Sequence, residues 1–495
     1  MRGRWVQLIW LLIILPLVAN AFEFNDVRNR ARDLSSQPYQ LPDQHRLDVL
    51  TNLTYEQYQR VSFRGEKAFW RDEKLPFQLE FFHPGYRHQQ VVGINEIGTF
   101  GVRKIEFRRE YFRYPTNQIE LPNNMGFAGF RIVHPRKDFG ELAVFLDASY
   151  FRMIGKGQIY GTSGRGLALN TSKMADEEFP VFREFWVRKP KRSDDEITLY
   201  ALLDSPSVAG AYEFVVRPDV DTVTTVRAAF FPRQEVKEFG IAPLTSMFLH
   251  GERGPPPVLD FRPEVHDADG LLIHNFRNEW IWRPLEAGKM LRVNAYFDEA
   301  LHGFGLIQRD RNYDHFQDPV ARFEKRTSAW VRPIGDWGKG AIELVQLPSN
   351  IEYADNVVAF WVPSTPPAPG RGLDLTYELH WTHEDPSPLE LAKVQATRIG
   401  LVGVDPPRDP RALRFIIDFG GKAMATLKQN EKLVAETWYG DGAKKLNEAV
   451  IRNDINQTWR LALEIEEPKK AVDMRAFLKH RGKPITEVWT FTWQP

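Results

Sequence analysis

Two short acidic stretches carry the residue types that could do chemistry. FRPEVHDADG, Phe261–Gly270, places Glu264, His266, Asp267 and Asp269 close together and ends on glycine. Further along, IEYADNVVAFW supplies Glu352, Tyr353, Asp355 and Asn356 just before an apolar run. Two carboxyl groups on separate strand ends, with tryptophans beside each, are what cleavage of a glycosidic bond requires. One carboxyl protonates the leaving oxygen, and the other activates water or attacks carbon. Asp267 and Asp355 are the candidate pair. The same segments also make good turns, because Asp side chains hydrogen-bond their own backbone.

Other chemistries fit less well. Alternating oxygen ligands ending in glycine resemble a calcium loop, but no glutamate closes the twelve-position pattern and Leu271–Ile273 is apolar. His266 and His274 lack the helical spacing of a zinc pair. GKGQIYGTSGRG, Gly155–Gly166, matches neither GxGxxG nor GxxxxGK[ST]. It reads either as a bend exposing Tyr160, Ser163 and Arg165 to a groove or as plain turn structure. Ser163 has no GxSxG context for a serine nucleophile. No metal and no cofactor is expected. Trp280 and Trp282 in NEWIWRP alternate, so they share one strand face, which is either core or cleft. Trp337, in the GDWGKG turn, is expected to be exposed, where its ring could stack on a sugar.

Composition narrows the class. The chain has 495 residues, and Lys+Arg and Asp+Glu both number 65, so its charge balance points to neither nucleic acid nor an anionic membrane. Aromatic residues make up 13%, which suits a large β core or a carbohydrate site. With no cysteine, disulfides, zinc–thiolate sites and thiol nucleophiles are closed. At the N-terminus, Arg2 and Arg4 precede the apolar run Trp5–Val18, shorter than the roughly 20 residues of a spanning helix. Ala19-Asn20-Ala21 has small-x-small form. The expectation is a signal peptide cleaved after Ala21 and a periplasmic mature chain.

The elements that must position the acidic pair are strands. Phe24, Val27, Ala31 and Leu34 outline one early helix, with Asn25 as its expected N-cap, and YEQYQRVSF a second helix or turn. From Phe63 onward the pattern becomes short alternating runs such as FQLEFFHP, ITLYALLD and TVTTVRAAFF, punctuated by Gly, Pro, Asn and Asp. GIAPLTSMFLHG, Gly240–Gly251, is read as a buried helix or a crossover. The expected fold class is all-β: a large sandwich over 22–383, a connector over 384–395, and a second immunoglobulin-like sandwich over 396–495.

Several longer segments carry a family resemblance. GFAGFRI (Gly126–Ile132), ASYFRMIGKGQIYGTSGRGLAL (Ala148–Leu169), EFPVFREFWVRKP (Glu178–Pro190), LYALLDSP (Leu199–Pro206), APLTSMFL (Ala242–Leu249), RPEVHDADGL (Arg262–Leu271), NEWIWRPL (Asn278–Leu285) and GKGAIELVQLP (Gly338–Pro348) resemble the glucans biosynthesis protein G/D family, in matching order along the mature chain. The resemblance implies a galactose-mutarotase-like sandwich with a deep cleft, an immunoglobulin-like C-terminal domain, and a role in making branched, β-1,2-linked periplasmic glucans. It implies inverting endo-β-1,2-glucanase activity in which the proton reaches the leaving oxygen through a substrate hydroxyl. Asp355 then falls on the general acid and Asp267 on the general base. The family segment around the acid often reads N-D-N where this chain has Ala354-Asp355-Asn356. G-type members, which the ordinary export signal favours, are slow glucanases. Beside this pair, Trp280, Trp282, Trp337, Arg165, Tyr160, His266 and Tyr353 are the expected substrate-binding residues. The implied partners are a β-1,2-linked glucan and the inner-membrane glucan synthase, with homodimerisation a further expectation. The alternative is a non-catalytic scaffold that presents nascent glucan for β-1,6 branching or release.

Overall fold

The computed structural model describes residues 22–41, 52–114, 125–135, 139–253, 259–403, 411–428 and 430–495. The expected leader, 1–21, lies outside them. The early helix forms over Phe24–Ser35 and buries Phe24, Val27 and Ala31. Its N-cap is Glu23, not Asn25. The Glu23 side chain and Asp26 three positions inside close a capping box, which satisfies backbone N–H groups at both ends of the first turn. The helix lies against Trp186, Tyr200, Ala211 and Ala229.

Strands dominate the rest, as expected for an all-β chain. A ten-stranded sheet runs in the order Gln78–Phe82, Gly129–His134, Gly140–Leu146, Tyr150–Met153, Ser163–Arg165, Phe239–Ser246, Val357–Pro363, Gly340–Gln346, Arg292–Asp298, with Leu167–Leu169 also pairing on Phe239–Ser246. A fifteen-stranded sheet faces it. The hairpin Val208–Arg217 and Thr222–Pro232 illustrates why the two layers close. Its residues are β-branched or aromatic on one face, and Tyr212, Phe214 and Val216 point into the core while Ala211 points out towards the helix. Phe130, Phe145, Phe151 and Phe185 meet Phe214 and Trp381 there in edge and stacked contacts 5.0–6.1 Å apart. Each such ring contributes about 1.5–3 kcal/mol on burial.

The segment read as a buried helix or crossover is instead the strand Phe239–Ser246, followed by the short strand Phe248–His250. It sits mid-sheet and is buried along its whole length, so it shows a continuous apolar run in place of alternation, and periodicity alone cannot tell such a run from a helix. A bulge between Ile241 and Leu244 breaks its register, with Ala242 at φ 48°.

The C-terminal strands do not stand apart. Val488–Trp493 pairs in parallel with Trp280–Pro284, so Val472–His480 and Leu433–Tyr439 extend the fifteen-stranded sheet. A four-stranded sheet of Lys393–Leu401, Ala412–Gly420, Thr458–Glu466 and Lys445–Asn453 covers this extension. Phe415, Leu461 and Trp489 share one core with Leu272, Trp282 and Trp330.

Candidate active site

The strand Tyr150–Met153 turns Phe151 and Met153 into the core, which leaves Tyr150 and Arg152 on the outer face of the ten-stranded sheet. There they line a cleft of about 450 Å³ with Tyr160, His88, Asp147 and Asp355. Asp355 sits immediately before the strand Val357–Pro363, and its Oδ2 faces Arg152 Nη2 at 3.7 Å. Arg152 Nε donates to Ser163 Oγ at 2.7 Å, which fixes the guanidinium from behind. Burial pushes the Asp355 carboxyl above its ordinary value, and Arg152 only partly opposes it.

Asp267 is not in the lining of this cleft and connects to its wall through Arg326. It follows the two-residue strand Val265–His266, and its N–H donates to Met247 O at 2.8 Å. Its Oδ1 faces Arg326 Nε at 3.5 Å without a hydrogen bond and is buried with no partner. Arg326 Nη1 donates to Tyr160 O at 2.7 Å, tying the Asp267 side to the cleft wall. Burial raises the Asp267 pKa first; Arg326 opposes this, and the charge of Asp355 raises it further. The two carboxyl groups are therefore in electrostatic reach of each other. The side chain of Asp267 is the drier of the two, 13% exposed against 29% for Asp355. Their countercharges differ as well. Asp267 has Arg326, Arg152 and His266 around it, whereas Asp355 has Arg152.

A residue outside the expected site set joins the two halves. Asn356, buried, accepts from Phe248 N at 2.9 Å and donates to Phe248 O at 2.9 Å and Leu347 O at 3.1 Å. Phe248 pairs in turn with His266, next to Asp267. Two loops far apart in sequence are thus pinned to one short strand. Arg152, Arg326 and Tyr150 were also missed. Ordinary strand and loop positions hold them, and nothing in their local pattern marks them.

The remaining expected binding residues separate. Tyr160 lines the cleft, and its hydroxyl donates to Glu141 O at 3.2 Å. Tyr353 is 79% exposed, on the loop that leads into Asp355. That loop is anchored by Glu352, which accepts twice from Arg262, at 3.0 and 2.7 Å. The expected exposure of Ser163 and Arg165 is overturned, since both are buried. Gly164 allows this close packing, because a Cβ there would fall 2.5 Å from the Phe151 ring. Arg165 donates to Glu177 Oε1 and Glu178 O, at 2.9 and 3.0 Å, with Phe179 4.3 Å over its guanidinium. His266 is fully buried behind Asp267. Its Nε2 meets Glu264 at 3.0 Å and its Nδ1 meets Gln308 at 2.9 Å, with the ring stacked on Phe248. Burial disfavours the imidazolium, but Asp269 and Glu264 outweigh it and raise the pKa to about 9. Glu264, His266 and Asp269 bring ligand-type atoms within 4.8 Å of one another, with both imidazole nitrogens already engaged.

Trp280 and Trp282 face away from the cleft. Their strand turns Ile281 into the core between the large sheets, so the alternate tryptophans meet the C-terminal strands. Trp282 is buried under Arg309, and Trp280 stacks on His274 and Trp330. Trp337 is half-buried against Tyr377, its indole N–H donating to Thr376 O at 3.2 Å, so the exposure expected of its turn is overturned.

Fold and site together define an all-β sandwich that carries an open, aromatic-walled cleft with the desolvated Asp355 in its lining and Asp267 tied to its wall through Arg326. Against known families, the model described as periplasmic glucan biosynthesis protein, MdoG, matches residues 22–493. The chain belongs to that family, which is periplasmic and functions in glucan biosynthesis. Among the described residues no helix is long and apolar enough to cross a membrane.

Proposed function

We propose that this chain is a periplasmic endo-β-1,2-glucanase of the inverting type, trimming glucan during its synthesis. Asp355 acts as general acid and Asp267 as general base. The observation that carries the reading is the pair of desolvated carboxyl groups, each opposed by an arginine and each in the field of the other. Burial raises both groups and the charge of Asp355 adds to the rise at Asp267, which favours one protonated and one ionised carboxyl. The two roles follow the family resemblance; Arg326, Arg152 and His266 oppose the effect of burial at Asp267, and Arg152 opposes it at Asp355. An inverting pair is separated by room for a water, and a relay through a substrate hydroxyl lengthens the proton path further. Arg152 then stabilises the Asp355 carboxylate once its proton has left.

Long incubation of the purified chain with linear β-1,2-glucan tests this. The wild type shortens the polymer with inversion at the new anomeric centre, and Asp355→Asn lowers the rate by a factor of about 10²–10⁴. Equal turnover by Asp355→Asn would sink the assignment. Complementation separates this from the scaffold reading, since a pure scaffold still supports glucan synthesis as Asp355→Asn.

A further inference from the structure

Away from Asp355, the cleft wall continues into an aromatic surface that neither carboxyl group accounts for. His88 and Asp147 line the cavity, joined by His88 Nδ1 and Asp147 Oδ1 at 2.6 Å. The Tyr58 ring lies 5.3 Å from His88, and Tyr86 stacks on Tyr58 at 6.2 Å with an interplanar angle of 29°. Tyr55 follows at 5.9 Å from Tyr86 and is 57% exposed. The Tyr58 hydroxyl donates to His83 O at 2.7 Å, so it is spent on the backbone.

The backbone here is strained. Gly85 and His88 exchange two hydrogen bonds of 2.9 Å across a tight turn, which holds Tyr86 at φ 54°. Asp147 and Ala148, on the facing loop, stand at φ 61° and 40°. Non-glycine residues in this left-handed region are uncommon, and they cluster where a site needs a fixed geometry. Asn or Gly would relieve the turn, yet a tyrosine occupies it and stays partly solvent-exposed. Flat rings beside a carboxylate–imidazole pair suit a pyranose, whose C–H face stacks on the rings while its hydroxyls hydrogen-bond to the polar pair.

We propose that Tyr55, Tyr58 and Tyr86, with His88 and Asp147, form a distal glucose-binding subsite that holds the glucan chain remote from the bond to be cleaved. The proposal rests on glucan as the ligand of the cleft and does not depend on turnover. The test uses the full mature chain carrying Asp355→Asn, titrated calorimetrically with long linear β-1,2-glucan and with its trisaccharide. Tyr86→Gly, which relieves the backbone, and Tyr55→Ala, at an exposed ring, each weaken binding of the long glucan about tenfold. Both leave trisaccharide affinity and thermal midpoint within twofold and a degree of the parent. Unchanged affinity for long glucan in both variants overturns the subsite, as does an equal loss for the trisaccharide. If the wild type cleaves no glucan but the variants still bind the long chain more weakly, the glucanase reading fails and the subsite stands.

Discussion

The cleft and the seam between the two large parts of the chain both bury charge, and they treat it in opposite ways. In the seam, Arg309 lies 3.7 Å over Trp282, reaches Asp385 at 2.6 Å and Glu487 at 2.6 Å, and donates to Val394 O at 2.8 Å. Lys393 and Ser387 complete Asp385, and Val394 N–H completes Glu487. Burial opposes ionisation of Asp385, yet Arg309 and Lys393 hold it well below the usual carboxylate range, whereas burial keeps Glu487 raised although Arg309 opposes it with a hydrogen-bonded ion pair. At and behind the cleft, Asp355 stands 3.7 Å from its arginine and Asp267 keeps an oxygen with no hydrogen bond, and both are pushed upward. Desolvated charge without full compensation costs stability. The seam spends its charges on joining two parts of the fold. The cleft tolerates poorly satisfied ones, as sites of proton transfer do.

Charge removal therefore separates the regions most sharply. At Asp355 or Asp267, change to Asn lowers glucanase rate by about 10²–10⁴ and leaves the thermal midpoint unchanged or raised, because an unfavourable buried charge is gone. In the seam, Arg309→Ala destabilises by about 3–5 kcal/mol, since it strands two buried carboxylates. Chemical denaturation of the three variants beside the wild type reads this out. A cleft variant that loses stability on the seam's scale would erase the distinction.

His266 lies between the regions and should reveal itself through pH. The folded state holds its proton to about pH 9, whereas an unfolded histidine releases it near 6.5. Its stabilisation is complete below pH 6.5 and is lost as pH rises towards 9, by up to about 3 kcal/mol. In His266→Gln that slope between pH 6.5 and 9 flattens. An identical slope in the variant would mean that the proton is held elsewhere.

What could be read from the sequence follows the same division. The two aspartates stand out as candidates because acidic residues crowd beside turn signals, and alternation exposes the hairpins. The strand Phe239–Ser246 was illegible as a strand because both its faces are buried, which removes the alternation. Arg152 and Arg326 carry no local mark, since their value comes from a partner hundreds of residues away or across a loop. Trp280 and Trp282 were correctly placed on one face, but only the parallel pairing with Val488–Trp493 decides which face that is.

Asn356 gives the smallest and most discriminating effect. Its amide makes three hydrogen bonds, two of them with Phe248, and no charge is involved. Asn356→Ala strands the Phe248 and Leu347 backbone groups and costs about 1–3 kcal/mol. If the amide serves only the fold, glucanase rate stays near wild type once the protein is folded. If it holds Asp355 in register with Asp267, the rate falls severalfold at temperatures well below the midpoint, with KM little changed. The second outcome is expected, because the same amide anchors the Asp355 loop to the strand whose neighbour precedes Asp267, and a misplacement of about 1 Å in a catalytic pair can cost 10²-fold.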